Sequence, residues 1–158
     1  MIVLFGLPAS GKTTIGKLLA SSLEYDFIDL DDEISKISGQ NFRTLFLSNE
    51  SLFREYEKML FNQIMQNNPK RVVLALGAKT PFFNDLTASN ALKIYLKVSK
   101  AFAINRIIHS SEVRFPQIEE IKTIDVGVYQ QFASYTINAE INKYLVVKNI
   151  LNVLSQHL

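Results

Sequence analysis

The sequence contains no cysteine, and it has no long apolar run. The lack of cysteine excludes a disulfide framework and a thiolate metal site. No apolar stretch approaches the roughly 20 residues that span a bilayer. The apolar start of the chain lacks the basic flank and the cleavage pattern of an export signal. We therefore expect a cytoplasmic protein that has no membrane partner.

An excess of charge of one sign is also missing, since 17 basic residues stand against 15 acidic ones. The charges form no long runs, so nothing suggests a nucleic-acid surface or a disordered tail. Internal repeats, low-complexity stretches and linkers are absent as well. With 47% apolar residues, the length suits a single domain over residues 1–158. The expectation is a monomer that acts on a small partner.

The most informative stretch is residues 2–14, which read IVLFGLPASGKTT. An apolar strand, a G-x-x-x-x-G-K-T pattern and a helix, here expected over residues 14–23, are typical of a phosphate-binding loop. In such a loop Lys12 reaches the terminal phosphates of a nucleotide, and the hydroxyl of Thr13 holds magnesium. The alternative is a chance glycine-rich turn between a strand and a helix.

Carboxylates gather where the next predicted strand, residues 25–29, ends. Asp29 and Asp31 stand at alternate positions there. Because ligands of an open parallel sheet bind outside the carboxyl ends of its strands, both side chains are expected at the edge that carries the phosphate loop. One of them can serve magnesium and the other a substrate hydroxyl. Asp32 is instead expected to cap a helix that begins near Glu33.

A helix predicted over residues 51–66 carries Arg54 three residues before Glu57. The two side chains either form a solvent-exposed ion pair worth a few tenths of a kcal/mol, or Arg54 faces a cleft and binds a substrate carboxylate. The spacing of apolar residues predicts that this helix buries Phe53, Tyr56, Met59, Leu60 and Ile64.

The remaining chain continues to alternate strands with helices. Further strands are predicted over residues 71–76, 92–98 and 135–138. Further helices are predicted over residues 101–108, 117–132 and 143–157, with Gly127 as a candidate break in the second of them. This alternation favours a three-layer α/β/α fold around a five-stranded parallel sheet.

A polar segment without periodicity, residues 109–117, interrupts the helices. We expect it to form a lid over the phosphates, with Arg114 as its cation. A solvated loop arginine is the alternative.

These motifs together resemble the shikimate kinases, which are small P-loop kinases of the nucleoside-monophosphate-kinase-like group. Residues 6–13 look like the first motif of that family, except that Ala9 replaces its middle glycine. Residues 27–31 (FIDLD) are similar to its Asp-x-Asp segment, and residues 53–57 (FREYE) to its Phe-Arg-x-x-Glu motif. Arg114 stands where the family carries its lid arginine. The resemblance covers nearly the whole chain.

The resemblance implies an ATP-dependent transferase that phosphorylates shikimate to shikimate 3-phosphate, a step of chorismate and aromatic amino-acid biosynthesis. It implies Lys12 and Asp31 as catalytic residues, and Mg²⁺ held by Thr13 and Asp29. The helices within residues 31–66 would bind the acceptor. The implied ATP-binding residues are Ala9, Ser10, Gly11, Lys12, Thr13, Thr14 and Arg114. The implied substrate-binding residues are Asp31, Arg54, Gly77 and Ala78.

The chain departs from the family pattern on the acceptor side. The family's run of three glycines reads GAK at residues 77–79. Aligning Tyr129 with the family's Arg-x-Pro-Leu-Tyr motif puts Asp125 in place of an arginine, for which Lys79 or Lys122 is a candidate replacement. Two alternatives therefore stay open: a related P-loop kinase for another small hydroxylated acceptor, and a catalytically weakened nucleotide-binding paralogue.

Overall fold

The structure, a computed structural model, describes residues 1–78, 85–86, 88–110 and 115–157. Its strands are β1 (Ile2–Phe5), β2 (Asp26–Asp29), β3 (Val72–Ala75), β4 (Leu92–Lys97) and β5 (Tyr135–Asn138). They form one parallel sheet in the order β2-β3-β1-β4-β5. The described residues also form the helices α1 (Lys12–Leu23), α2 (Leu30–Ser38), α3 (Phe42–Ser48), α4 (Glu50–Asn67), α5 (Lys100–Ile108), α6 (Phe115–Thr123), α7 (Val126–Phe132) and α8 (Lys143–His157).

The prediction of a five-stranded parallel sheet flanked by helices is confirmed. Every residue of β1 and of β3 is buried, which explains why their sequences are apolar without alternation: helices cover both faces of the sheet. Within the described residues, no helix is both long enough and apolar enough to cross a membrane.

The strand register brings three chain segments to one edge of the sheet. Ala75 pairs with Leu4 on one side and with Asp29 on the other, so that β1, β2 and β3 end at the same level. The phosphate-loop sequence, the Asp29–Asp31 segment and the turn at Gly77 all follow these ends. The expectation that the carboxylates after β2 lie at the edge of the phosphate loop is therefore confirmed.

Helices α2, α3 and α4 pack around a small apolar cluster of their own. It consists of Ile34, Leu45 and Phe53, and the ring of Phe46 meets Phe53 edge-on at 5.3 Å. The predicted buried stripe of α4 is partly wrong, because the buried residues of this helix are Phe53, Glu57 and Phe61, whereas Met59 is 37% exposed. The helix is turned so that a carboxylate, Glu57, points inward.

The predicted helix over residues 117–132 is two helices, and the break does not lie at Gly127. It lies at Ile124 and Asp125, between α6 and α7. The side chain of Asp125 is the N-cap of α7 and accepts a hydrogen bond from the backbone N–H of Gly127 at 3.0 Å. A carboxylate that satisfies a free N–H group of the first turn starts a new helix, and Gly127 lies inside that turn.

Candidate active site

The turn between β1 and α1 has the backbone of a phosphate-binding loop. Gly6 has a φ of 152°, and a Cβ atom there would lie 2.7 Å from the carbonyl oxygen of Leu96, so the position requires glycine. Gly11 is the N-cap of α1 with a φ of 97°, which leaves the first N–H groups of the helix facing the loop. Ala9 adopts a left-handed φ of 61°, which strains a residue that has a Cβ atom.

Lys12 folds back over this loop. Its Nζ donates hydrogen bonds to the carbonyl oxygens of Gly6 at 3.0 Å and Leu7 at 2.8 Å. Burial lowers the pKa of Lys12 to about 8, although the carboxylates of Asp31, Asp29 and Glu120 act in the opposite direction. The structure thus brings the predicted lysine and the predicted carboxylates within electrostatic reach of one another.

The other predicted ATP-binding residues of the loop surround Lys12. Thr13 and Thr14 belong to the first turn of α1 and are exposed. Ser10 is a buried residue of the loop, and its Oγ has no hydrogen-bond partner within the described residues. Arg114 and the core of the predicted lid, residues 111–114, lie outside the described residues.

Thr13 and Asp29 form the pair that the sequence predicts for magnesium. Thr13 Oγ1 donates to Asp29 Oδ2 at 2.7 Å. Asp29 Oδ1 accepts from the backbone N–H groups of Asp31 at 3.0 Å and Asp32 at 3.4 Å, so Asp29 is also the N-cap of α2. The expectation that Asp32 caps this helix is therefore wrong. Asp29 precedes the helix and reaches its free N–H groups, whereas Asp32 lies inside the first turn.

The oxygen pair fits Mg²⁺. Adjacent ligands of an octahedral Mg²⁺ lie about 2.9 Å apart, and this ion is usually held by one or two protein oxygens together with phosphates and water. The 2.7 Å between Thr13 Oγ1 and Asp29 Oδ2 is close to that spacing. Groups of three or more His, Cys, Asp or Glu side chains that suit a metal do not occur in the part of the chain that the structure describes.

Asp31 has a raised pKa, which is what a base for the acceptor hydroxyl needs. Burial is the main cause that raises the pKa of Asp31 to about 7, and the carboxylates of Asp29 and Glu57 add to it, whereas Lys12 acts in the opposite direction. A carboxylate whose pKa lies near neutrality can accept a proton from a hydroxyl group and still be ionised beforehand.

The structure bears on one of the two interpretations of the spacing of Arg54 and Glu57, the solvent-exposed ion pair. Arg54 Nη1 donates to Glu57 Oε1 at 2.8 Å, but Glu57 is 0% exposed. The interpretation as a solvent-exposed ion pair is therefore wrong for this carboxylate. The guanidinium of Arg54 also lies 5.6 Å from the ring of Phe46 and 5.4 Å from that of Phe53, so two aromatic faces orient it.

The turn after β3 lies between two of these carboxylates. A Cβ atom at Gly77 would stand 3.4 Å from Glu57 Oε2 and 3.5 Å from Asp31 Oδ1. Glu57 Oε2 is buried and has no hydrogen-bond partner within the described residues. Gly77 therefore keeps the backbone close to both side chains on the acceptor side of the site. The neighbouring Lys79, a candidate replacement cation, lies outside the described residues.

Two residues to which the sequence analysis assigned no role contact the site. Arg106 Nη1 on α5 donates to the carbonyl oxygen of Ala9 at 3.0 Å, and its guanidinium lies 4.7 Å from the ring of Phe102. Tyr129 Oη on α7 donates to the carbonyl oxygen of Ala78. The spacing of Phe102 and Arg106 by four residues was a weak local signal for the first contact. The second has none, because 51 residues separate its partners.

Comparisons with known proteins agree on one family. The family model described as "Shikimate kinase" matches residues 8–155. A shikimate kinase from Clostridium botulinum (strain 657) is 32% identical over 77% of this chain and 73% of its own length. A shikimate kinase from Chlorobium phaeobacteroides (strain BS1) is 36% identical, and the match covers 71% of this chain and 57% of that protein.

The fold comparison gives the same group of proteins. The structure of a shikimate kinase from Acinetobacter baumannii in complex with shikimate superposes with a TM-score of 0.80. Its sequence is 24% identical, and the match covers 99% of this chain and 94% of that one. At this level of identity the likeness concerns the fold, which is the fold that the phosphate-loop motif predicted.

Proposed function

The chain belongs to the shikimate kinase family, which comprises ATP-dependent kinases that phosphorylate an alcohol group of shikimate, and we propose that it performs this reaction with Lys12, Asp31 and Arg54. The prediction of a kinase of this family is confirmed by the family match. The observation that carries the assignment of roles is the position of Asp31. This carboxyl group, with a pKa of about 7, shares one sheet edge with Lys12 and with the Thr13–Asp29 pair.

Asp31 is the proposed base. It accepts the proton of the acceptor hydroxyl while the oxygen of that hydroxyl forms a bond to the terminal phosphorus of ATP. The bond from this phosphorus to the oxygen of the ADP leaving group breaks, so that one phosphoryl group is transferred and the proton ends on Asp31. Phosphoryl transfer requires little covalent work from the protein beyond positioning and charge stabilisation.

The phosphate loop supplies the charge stabilisation on the donor side. Lys12 exchanges its hydrogen bonds to Gly6 and Leu7 for phosphate oxygens, because an ammonium group gains more from an anion than from two carbonyl groups. The remaining proposed ATP-binding residues are Ala9, Ser10, Gly11, Thr13, Thr14 and Arg114.

Mg²⁺ is the proposed cofactor, with Thr13 Oγ1 and Asp29 Oδ2 as its protein ligands. When bound, it supplies positive charge that offsets the charge of the phosphate oxygens. The role of Asp29 as the N-cap of α2 fixes its side chain on the side of the loop.

Arg54 is proposed to bind the carboxylate of the acceptor, with the backbone of Gly77 and Ala78 beside it. The hydrogen bond to Glu57 holds one edge of the guanidinium, and paired N–H groups of an arginine suit a carboxylate. With shikimate as acceptor, the product enters chorismate and aromatic amino-acid biosynthesis.

Closure, assembly and location complete the proposal. The helices within residues 31–66 share an apolar cluster of their own and join the main core through Phe61, and we propose that they move onto the acceptor as one unit. The segment 109–117 is the proposed lid over ATP. We propose that the protein acts as a monomer in the cytoplasm.

The test is ATP consumption with Mg²⁺ and shikimate for the wild type, Asp31→Asn and Asp26→Asn. Loss of the base is expected to reduce kcat by about 10²-fold to 10⁴-fold. Asp26→Asn is the matched control, because Asp26 lies at the other end of β2 and is exposed. Turnover that survives Asp31→Asn unchanged would refute the role of Asp31.

A related acceptor is the second candidate, and Asp125 favours it. This residue caps α7 where the family resemblance places an arginine, so the carboxylate of shikimate loses one cation at that position. A screen of small hydroxylated acceptors with and without a carboxylate distinguishes the candidates. A higher kcat/KM for an acceptor without a carboxylate would replace shikimate and leave the phosphoryl-transfer mechanism in place.

A further inference from the structure

Tyr129 on α7 contacts both the strand that leads into the phosphate loop and the turn on the acceptor side. Its side chain is only 2% exposed. Its ring centroid lies 5.9 Å from that of Phe5, the last residue of β1 before the phosphate loop, and 5.2 Å from that of Tyr95. Phe5 and Tyr95 are register partners on neighbouring strands, and their rings stack at 5.9 Å. The base of the phosphate loop thus rests on a cluster of three rings.

The hydroxyl group at the far end of the same side chain contacts the acceptor side. Tyr129 Oη donates a hydrogen bond of 2.5 Å to the carbonyl oxygen of Ala78. Ala78 follows Gly77, whose Cα lies beside Asp31 and Glu57. One rigid side chain therefore spans from the strand that carries the phosphate loop to the backbone that lies against the acceptor-side carboxylates.

The hydrogen bond from Tyr129 to Ala78 can fix the distance between the acceptor-side turn and the phosphate loop. A partly buried carbonyl group that loses a hydrogen-bond donor keeps part of the cost of its desolvation, so the turn is favoured where the hydroxyl can reach it. Burial also raises the pKa of Tyr129 above its ordinary value, which keeps the hydroxyl protonated and donating at physiological pH. The aromatic contacts with Phe5 and Tyr95 restrict the ring, and a restricted ring holds its hydroxyl in one place.

We propose that Tyr129 is a positioning residue that sets the acceptor-side turn at Gly77 and Ala78 relative to the phosphate loop. It does not touch the reacting atoms. In-line phosphoryl transfer requires the acceptor oxygen at a defined distance from the terminal phosphate, and the ring cluster together with the hydroxyl of Tyr129 fixes one boundary of that distance. The expected effect on the KM for shikimate rests on the proposed function, whereas the expected effect on the position of the turn does not.

The experiment compares Tyr129→Phe with Tyr135→Phe, which removes a hydroxyl of the same kind from β5. The hydroxyl of Tyr135 contacts His157 Nδ1 at 3.1 Å, and within the described residues it has no hydrogen bond to Gly77 or Ala78. In Tyr129→Phe, KM for shikimate is expected to rise roughly tenfold, while KM for ATP changes less than twofold. Tyr135→Phe should match the wild type in both constants.

Amide hydrogen exchange of the free protein gives a readout independent of activity. We expect faster exchange in the peptide that covers residues 72–78 in Tyr129→Phe and not in Tyr135→Phe. Unchanged exchange there, or faster exchange across the whole chain, would overturn the proposal, as would an equal rise of KM for both substrates. If the wild type fails to phosphorylate shikimate, the proposed function fails, and the exchange result alone decides whether Tyr129 positions the turn.

Discussion

The donor side and the acceptor side of the site are assembled in different ways. On the donor side, one continuous stretch, residues 6–13, provides the loop backbone, Lys12 and Thr13. On the acceptor side, Asp31 comes from α2, Arg54 and Glu57 come from α4, and Gly77 comes from the turn after β3. The donor side therefore depends on the local geometry of one chain segment, whereas the acceptor side depends on the tertiary packing of several.

This difference determines what a substitution changes. A side chain of the donor loop can be removed with little effect on the core, because the backbone of the loop remains anchored by β1 and α1. A side chain of the acceptor side holds a neighbouring buried charge, since Glu57 is 0% exposed and relies on Arg54. Substitutions there are expected to change stability and acceptor binding together.

The largest expected effect is on the donor side. Lys12→Ala removes the ammonium group that is proposed to stabilise charge on the transferring phosphoryl group, and kcat is expected to fall by about 10³-fold. The melting temperature should change little, because relief of the burial that opposes the charged form of Lys12 offsets the loss of its hydrogen bonds to Gly6 and Leu7. Steady-state kinetics and calorimetry measure the two quantities. Lys17→Ala, an exposed lysine of the same helix, is the control; a loss of stability with retained kcat in Lys12→Ala would reverse the comparison.

On the acceptor side, Arg54→Ala is expected to lower the free energy of unfolding by about 3 kcal/mol, because it leaves the carboxylate of Glu57 buried without its cation. KM for shikimate should also rise. The double variant Arg54→Ala/Glu57→Gln separates the two effects. It should recover most of the stability, since no buried charge is left unpaired, and it should keep the raised KM.

Urea denaturation and acceptor kinetics of these two variants show whether Arg54 binds the acceptor or only neutralises Glu57. If the double variant regains both stability and acceptor affinity, then Arg54 serves only to neutralise Glu57 and does not bind the acceptor. If neither variant changes KM for shikimate, the assignment of the acceptor carboxylate to Arg54 is wrong.

The buried carboxyl of Glu57 should also make stability depend on pH. Burial raises the pKa of Glu57 above its ordinary value of 4.5, although Arg54 acts in the opposite direction and Glu120 adds to the rise. Asp31 is the other charged group beside it. A carboxyl whose pKa is raised by folding contributes stability that is complete below its unfolded pKa and is lost as the pH rises through its folded pKa. The free energy of unfolding of the wild type should therefore fall as the pH rises above 4.5.

Glu57→Gln is expected to reduce the slope of this dependence, because the glutamine cannot ionise, whereas the raised pKa of Asp31 keeps the remainder. Urea midpoints at a series of pH values measure the slope. Glu55→Gln is the matched control, since it makes the same change at an exposed position of α4 and should keep the slope of the wild type. Parallel curves for the wild type and Glu57→Gln would contradict a raised pKa of Glu57.

The same contrast explains what the sequence could predict. The phosphate loop was predictable because its backbone has local requirements, such as the φ of 97° that favours glycine at Gly11. The last strand and the last helix were predicted with the bounds that the structure has, Tyr135–Asn138 and Lys143–His157. Their apolar patterns are bounded by turn residues and are not disturbed by a functional side chain.

The acceptor side could be predicted only in part. Asp31 and Arg54 were found by motif, but the burial of Glu57 was not, because α4 turns a carboxylate toward the site against its own apolar pattern. The cap of α2 was also misassigned, since several neighbouring carboxylates suit a cap and only the backbone geometry selects Asp29. The bond from Tyr129 to Ala78 joins chain segments that have no common local pattern.

The smallest expected effect tests whether the donor loop is free of strain. Ala9 has a φ of 61°, so Ala9→Gly should stabilise the protein by about 1 kcal/mol through release of that strain. Ala101→Gly makes the same change in the exposed first turns of α5, where it should destabilise by up to about 1 kcal/mol. If the urea midpoints of Ala9→Gly and Ala101→Gly shift in opposite directions, the loop stores strain at Ala9. Equal destabilisation would mean that the Cβ atom of Ala9 adds no strain to the loop, and the greater freedom of glycine in the unfolded chain would then account for both losses.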